Sequence, residues 1–237
     1  EDGWVKRGYS SNYCRPVFAV MDPELTMTLP SYQTACGCVD ILMHTMERYF
    51  NHSGSMEITD GIAEALMQTV IRNAPIVMQR PDDYNARAEI MWAGSLSHNG
   101  LTDCGCDHGD WATHKMEHEL GGLFDVAHGA GLAAIWGSWA RYVCDADYAR
   151  FARFATKVLN VAPQATDQET ALAGIAAMEQ FYRSIQMPTS LRELGVSPTE
   201  EQIQEMARKC ILATKGPAGK VKPLQQNDVE NIYRAAL

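Results

Sequence analysis

Asp40 and His44 stand four residues apart, His114 and His118 repeat that interval, and His128 follows a short way on. In a helix, side chains at i and i+4 lie one above the other on the same face. A carboxylate and an imidazole so placed can reach one cation. One hard oxygen with several imidazole nitrogens suits a borderline divalent ion, Fe2+ or Zn2+, whereas Mg2+ and Ca2+ want mostly oxygen ligands. Each spacing alone is a weak signal. The order His114-Lys115-Met116-Glu117-His118 puts the acid next to the second histidine, so Glu117 is not placed as the base of an H-E-x-x-H protease. His128, just ahead of Gly129, also fits a helix-capping or packing role. The spacings alone leave metal binding and plain packing both open.

Such residues need helices to hold them, and the chain predicts them over most of its length. Helical apolar spacing starts at Pro30-Ser31 and runs to about residue 51; a second helix spans about 59–79, with Pro75 expected to kink it, and a third about 83–99. A Gly-, Asp- and Cys-rich loop at 100–110 precedes a short helix over 111–120, expected to end at the Gly121-Gly122 pair. Further helices are predicted over 128–143, 145–159 and 166–186. Ser197-Pro198-Thr199-Glu200 reads as a capping box with proline at the first helical position, opening a helix to about residue 214. After a loop at 216–219, Asn227 is expected to cap a last helix, with Glu230 three residues on. Two short strands are predicted at 4–10 and 16–22. The expected architecture is mainly α: an all-helical domain over 30–237 behind a β-hairpin within 1–29.

The 237 residues are 46% hydrophobic and 21% charged, enough apolar material for a large core and against disorder. The formal net charge of −9 and the lack of a long Lys/Arg cluster argue against nucleic acid or an anionic membrane surface as partners. No apolar run approaches the roughly 18 residues that would span a bilayer. The cysteine count is seven, odd and without C-x-x-C, which reads as free thiols in a reducing, cytoplasmic setting. Cys36–Cys38 and Cys104–Cys106 are C-x-C pairs, the latter near His108; as thiolate ligands they rank below the Asp/His set. The chain begins at Glu1 rather than Met, and the opening residues are expected to be the middle of a longer protein.

Longer words of sequence then point to a family. Asp22-Pro23-Glu24-Leu25-Thr26, Leu29-Pro30, Val39-Asp40-Ile41 through His44, and Glu47-Arg48-Tyr49 resemble the group III, iron-containing alcohol dehydrogenases. The stretches from Gly109 through His114 to Leu120, and from Phe124 through His128 to Gly131, look like the butanol-dehydrogenase branch of that family. The resemblance implies the helical metal-binding domain of the dehydroquinate synthase-like fold. It also implies metal ligation by Asp40, His44, His114 and His128, with His118 as a non-ligand catalytic histidine.

The implied activity is metal-dependent interconversion of a primary alcohol and an aldehyde, with hydride exchanged with NAD(P) and the metal, Fe2+ or Zn2+, as Lewis acid. His118 would relay a proton between the substrate oxygen and solvent. Trp111, Phe124 and the 216–219 loop are candidate pocket walls, and a homodimer is the expected assembly. The family's glycine-rich cofactor segment has no counterpart here, since the glycine pairs lie in loops among helices. The chain is therefore expected to bind metal and to be inactive without an N-terminal cofactor domain. Two alternatives stand beside this: a metal-dependent lyase or hydrolase on a helical scaffold, and a non-catalytic metal-binding module. An HD-type phosphohydrolase would need a His-Asp dipeptide, which the sequence lacks. Of the remaining histidines, His52 is expected at the surface and His98 at a helix end.

Overall fold

The computed structural model describes Lys6, residues 11–51 and residues 54–237. Ten α-helices are described: α1 (Ser31–Tyr49), α2 (Glu57–Gln79), α3 (Tyr84–His98), α4 (Ala112–Phe124), α5 (His128–Val143), α6 (Tyr148–Val158), α7 (Asp167–Ser184), α8 (Leu191–Leu194), α9 (Glu200–Thr214) and α10 (Gln226–Ala235). Residues 16–22 carry no strand; they are irregular and largely exposed. Their expected hairpin partner at 4–10 lies outside the described residues apart from Lys6, as does His52. Among the described residues no helix is long and apolar enough to cross a membrane.

The sequence of α5 explains its place. It is apolar from Gly129 to Val143 except at Ser138, Arg141 and the Tyr142 hydroxyl, and a helix so nearly apolar all round is stable only when largely surrounded. It packs against α1, α4, α7, α8 and α10 and forms the axis of the domain. Trp136 and Trp139 on α5 are fully buried, near Phe50, Phe151, Phe154 and Tyr182. Phe50 stacks on Phe151 with ring centroids 4.3 Å apart, an arrangement that adds about 1 kcal/mol beyond area burial. α1 lies along α5 and also contacts α2 and α3, while α4 is held between α5 and α9.

Several helix ends differ from the sequence expectation. α2 continues through Pro75 as one helix. α4 runs past Gly121-Gly122 to Phe124 and stops where Asp125 turns left-handed (φ 52°). Glycine costs a helix about 1 kcal/mol, but here it allows close contact: a Cβ at Gly121 would lie 2.9 Å from Glu117 Oε1. The box that opens α9 is Thr199 with Gln202 rather than Ser197 with Glu200, and α10 is capped by Gln225 with Asp228 rather than by Asn227. In both, the acceptor–donor pairing sits at a register that apolar spacing alone does not fix. The single-turn helix α8 is too short to show a period and was not expected.

Candidate metal centre

Three helices converge at one end of α5. α1 supplies Asp40 and His44, α4 supplies His114 and His118, and His128 is the first residue of α5. The approach of α5 to α1 depends on Gly129, where a Cβ would stand 2.1 Å from the Cys36 carbonyl oxygen. Any side chain there would push the start of α5, and His128 with it, away from Asp40.

The start of α4 is fixed by carboxylates. Glu47 on α1 accepts hydrogen bonds from the backbone N–H groups of Trp111 (2.6 Å) and His114 (3.1 Å), which would otherwise lack partners at a helix N-terminus. Asp110 accepts from the N–H groups of Ala112 (3.0 Å), Lys220 (2.6 Å) and Val221 (2.8 Å), tying the 216–221 loop to α4. Burial, then the charge of Glu47, pushes the Asp110 carboxyl up to about 7.

Asp40 Oδ1 is the focus of the cluster. It lies 3.7 Å from His44 Nε2, 3.7 Å from His114 Nε2 and 3.5 Å from His128 Nε2. Two ligand atoms on a tetrahedral ion with bonds of 2.0–2.2 Å stand roughly 3.3–3.6 Å apart, so each Nε2 lies near a shared-ion distance from Asp40 Oδ1. Asp40, His44 and His114 offer ligand atoms all within 4.8 Å of one another, whereas His128 groups with Glu117 and His118. Asp40 Oδ1 and His114 Nε2 are buried and lack a hydrogen-bond partner, a costly state that a cation between them relieves. The donor set fits a divalent ion of the iron or zinc type.

The electrostatics agree with that placement. Burial raises the Asp40 carboxyl, but contacts with His114 and His98 and the charges of His44 and His128 outweigh it, holding it well below the usual carboxylate range. Burial lowers His114, yet Asp40 and then Glu47 carry it up to about 9. Burial, then the charge of His114, lowers His44 to about 3. A metal ion at Asp40 would compete with the proton that His114 otherwise holds.

His118 is set slightly apart. Its ring centroid is 6.4 Å from that of His114 and 5.6 Å from that of His128. Burial, then the charge of Lys6, lowers it to about 4, leaving a neutral imidazole at pH 7. Glu117, His118 and His128 also offer ligand atoms within 4.8 Å of one another. Of the candidate walls, Trp111 stands over the site, its ring 5.3 Å from His44 and 5.1 Å from His114, with the Arg48 guanidinium 4.9 Å from the indole. Phe124 packs on the core, and Gly219 of the 216–219 loop lies against Asp110 and Ala112 at the start of α4.

Sequence reasoning passed over three neighbours. His98 is no mere helix end: its ring lies 3.9 Å from that of His44, and its Nε2 is 3.6 Å from Asp40 Oδ2. Glu47 lies three residues beyond His44 on the same helical face, a spacing that could have marked it. Glu117 contacts His128 Nδ1, a pairing across two helices that no local spacing reveals. His108 is exposed, and its carbonyl accepts the Trp111 indole N–H. The Cys104 and Cys106 thiols donate to backbone carbonyls, of Gly100 and Arg48 respectively.

The profile of the Fe-containing alcohol dehydrogenase family, C-terminal, matches residues 34–237. The chain belongs to this family. It is 36% identical over 230 residues to the NADH-dependent butanol dehydrogenase A of Clostridium acetobutylicum, covering 97% of this chain and 58% of that protein. It is 35% identical over 191 residues to the NADPH-dependent aldehyde reductase YqhD of Escherichia coli, covering 81% of this chain and 49% of that one. The crystal structure of the NADH-dependent butanol dehydrogenase A of Thermotoga maritima superposes with a TM-score of 0.91 at 34% identity, over 99% of this chain and 59% of that chain. The chain thus spans about three-fifths of the length of butanol dehydrogenase relatives in the iron-containing family.

Proposed function

We propose that this chain is the cation-holding part of a metal-dependent alcohol dehydrogenase or aldehyde reductase, acting on a small primary alcohol or aldehyde with NAD(P). The observation that carries the reading is the position of Asp40 Oδ1, 3.5–3.7 Å from three histidine Nε2 atoms and without a hydrogen-bond partner. Family membership and the names of the relatives, butanol dehydrogenase and aldehyde reductase, supply the reaction class.

Asp40, His44, His114 and His128 would hold one divalent ion, Fe2+ or Zn2+. That ion would supply Lewis acidity at an alcohol or aldehyde oxygen, and a nicotinamide the hydride chemistry. The chain's own residues do the rest. The carboxylate of Asp40 offsets cationic charge, and the Trp111 indole covers the imidazoles of His44 and His114. The His118 imidazole, neutral at pH 7, is suited to accept a proton from a substrate hydroxyl and pass it to solvent. Nicotinamide binding is assigned to none of these residues, and this chain alone is proposed not to turn over.

The test is metal content of the full chain, and NAD(P)H oxidation with butanal by the full-length protein, in wild-type, His114→Ala and His118→Ala forms. The reading expects one Fe or Zn per chain, lost with His114, and turnover that depends on His118. Metal content unchanged by His114→Ala would defeat the ligand assignment; normal turnover in His118→Ala would remove the proton role.

A further inference from the structure

Two of the proposed ligand histidines are backed by buried carboxylates, and the third is not. Glu47 is 2% exposed and Glu117 is fully buried. Glu47 Oε1 lies 3.0 Å from His114 Nδ1, and Glu117 Oε2 contacts His128 Nδ1. A carboxylate can only accept, so Nδ1 of each ring must carry the hydrogen. Nε2 is then left free for a cation, and in both rings it is Nε2 that faces Asp40 Oδ1. His44 differs: its Nδ1 is buried and unpartnered.

We infer that Glu47 and Glu117 are positioning residues that fix the ring tautomers of His114 and His128 for cation binding through Nε2. The inference rests on the ligand reading given above and adds which residues set the donor atoms. Glu47 is itself immobilised by the N–H groups at the start of α4, so the ring it holds is oriented before any ion arrives. Glu117 is flanked by Lys6, whose ammonium lies 3.5 Å from Oε2 and offsets its charge. Gly131 leaves the space it fills, since a Cβ there would stand 2.9 Å from Glu117 Cγ. Neither carboxylate touches the focus at Asp40, so each acts through its histidine.

Glu47 also caps α4, and its loss can unfold the site. Glu117 caps nothing and gives the cleaner test. Zn2+ affinity of the full chain is measured by chelator competition for wild type, Glu117→Leu, Glu117→Gln and His114→Ala, alongside histidine-ring 15N spectra of the Zn2+-loaded chain. We expect Glu117→Leu to weaken Zn2+ binding on the order of 10- to 100-fold. Glu117→Gln, whose amide oxygen still accepts from Nδ1, should bind close to wild type. The spectra should show Nδ1 protonated and Nε2 metal-bound in His114 and His128. Wild-type affinity in Glu117→Leu, or Nδ1 as the bound atom in His128, overturns the inference. If His114→Ala also binds Zn2+ like wild type, the ligand reading itself has failed; if only Glu117→Leu does, the positioning role alone is lost.

Discussion

Two buried polar clusters share helix α1, and they are built on opposite principles. Near its C-terminal end, Arg150 forms a two-pronged ion pair with Asp60, Arg153 pairs with Glu64 at 2.7 Å, and the Tyr49 hydroxyl donates to Glu64 at 2.8 Å. Arg150 also donates to the Tyr49 carbonyl at 2.8 Å and lies over its ring. Every side-chain oxygen and nitrogen of those residues is partnered or reaches solvent. Between two and three turns earlier, around Asp40, a carboxylate and imidazoles face one another at 3.5–3.7 Å, too far apart for direct hydrogen bonds. Asp40 Oδ1, His44 Nδ1 and His114 Nε2 are buried without partners. A satisfied cluster fixes helices in register; an unsatisfied one of this composition is poised for a cation. The contrast separates the C-terminal end of α1, beside the ion pairs that join α2 to α6, from the stretch that carries the proposed site.

Substitutions should separate the two clusters. The largest effect expected is in His114→Ala, where Zn2+ affinity falls by more than about 100-fold, exceeding the loss of an outer partner, while helical circular dichroism persists. In the other cluster, Arg150→Met removes the two-pronged partner of the buried Asp60 carboxylate and leaves it Arg153 at 3.4 Å. It should lower unfolding free energy by about 2 kcal/mol in urea titration, with metal content unchanged. Between them, Gly129→Ala forces α5 from α1 and should cost about 1–3 kcal/mol while also weakening Zn2+ binding, because the same contact that packs α5 on α1 sets the position of His128.

The pH dependence of the metal-free chain gives a subtler difference. His114 is raised from 6.5 to about 9, so its stabilisation is complete below pH 6.5 and disappears as pH rises through 9. His44 and His118 are lowered to about 3 and about 4; their stabilisation is present above pH 6.5 and declines as pH falls through those values. Their summed contribution to thermal stability should peak near pH 6.5, and Zn2+ should remove the alkaline decline. A monotonic rise from pH 6.5 to 9 without metal would contradict the His114–Asp40 contact. The smallest effect is expected in His118→Ala, whose Zn2+ affinity should stay near wild type, since His118 stands outside the Asp40 shell.

The sequence makes the long amphipathic and apolar helices legible because their periods span many turns. It does not show where α4 ends, since Gly121 and Gly122 read locally as a stop, yet the helix continues through them and Gly121 leaves room for the Glu117 carboxylate one turn back. Asp40, His44, His114 and His118 are visible as i,i+4 pairs. Glu47 shares that face and is legible in hindsight. Glu117 and His98 are not, because their partners, His128 on α5 and Asp40 on α1, come from other helices. Local spacing reveals what one helix presents and stays silent about which helix it meets.

Every role proposed for the histidines depends on a single cation bound at Asp40. Calorimetric titration of the metal-free full chain with Zn2+ tests it most directly, for wild type, Asp40→Ala and Arg150→Met. One Zn2+ per chain is expected in wild type and in folded Arg150→Met, and none in Asp40→Ala. Equal binding by wild type and Asp40→Ala would contradict it.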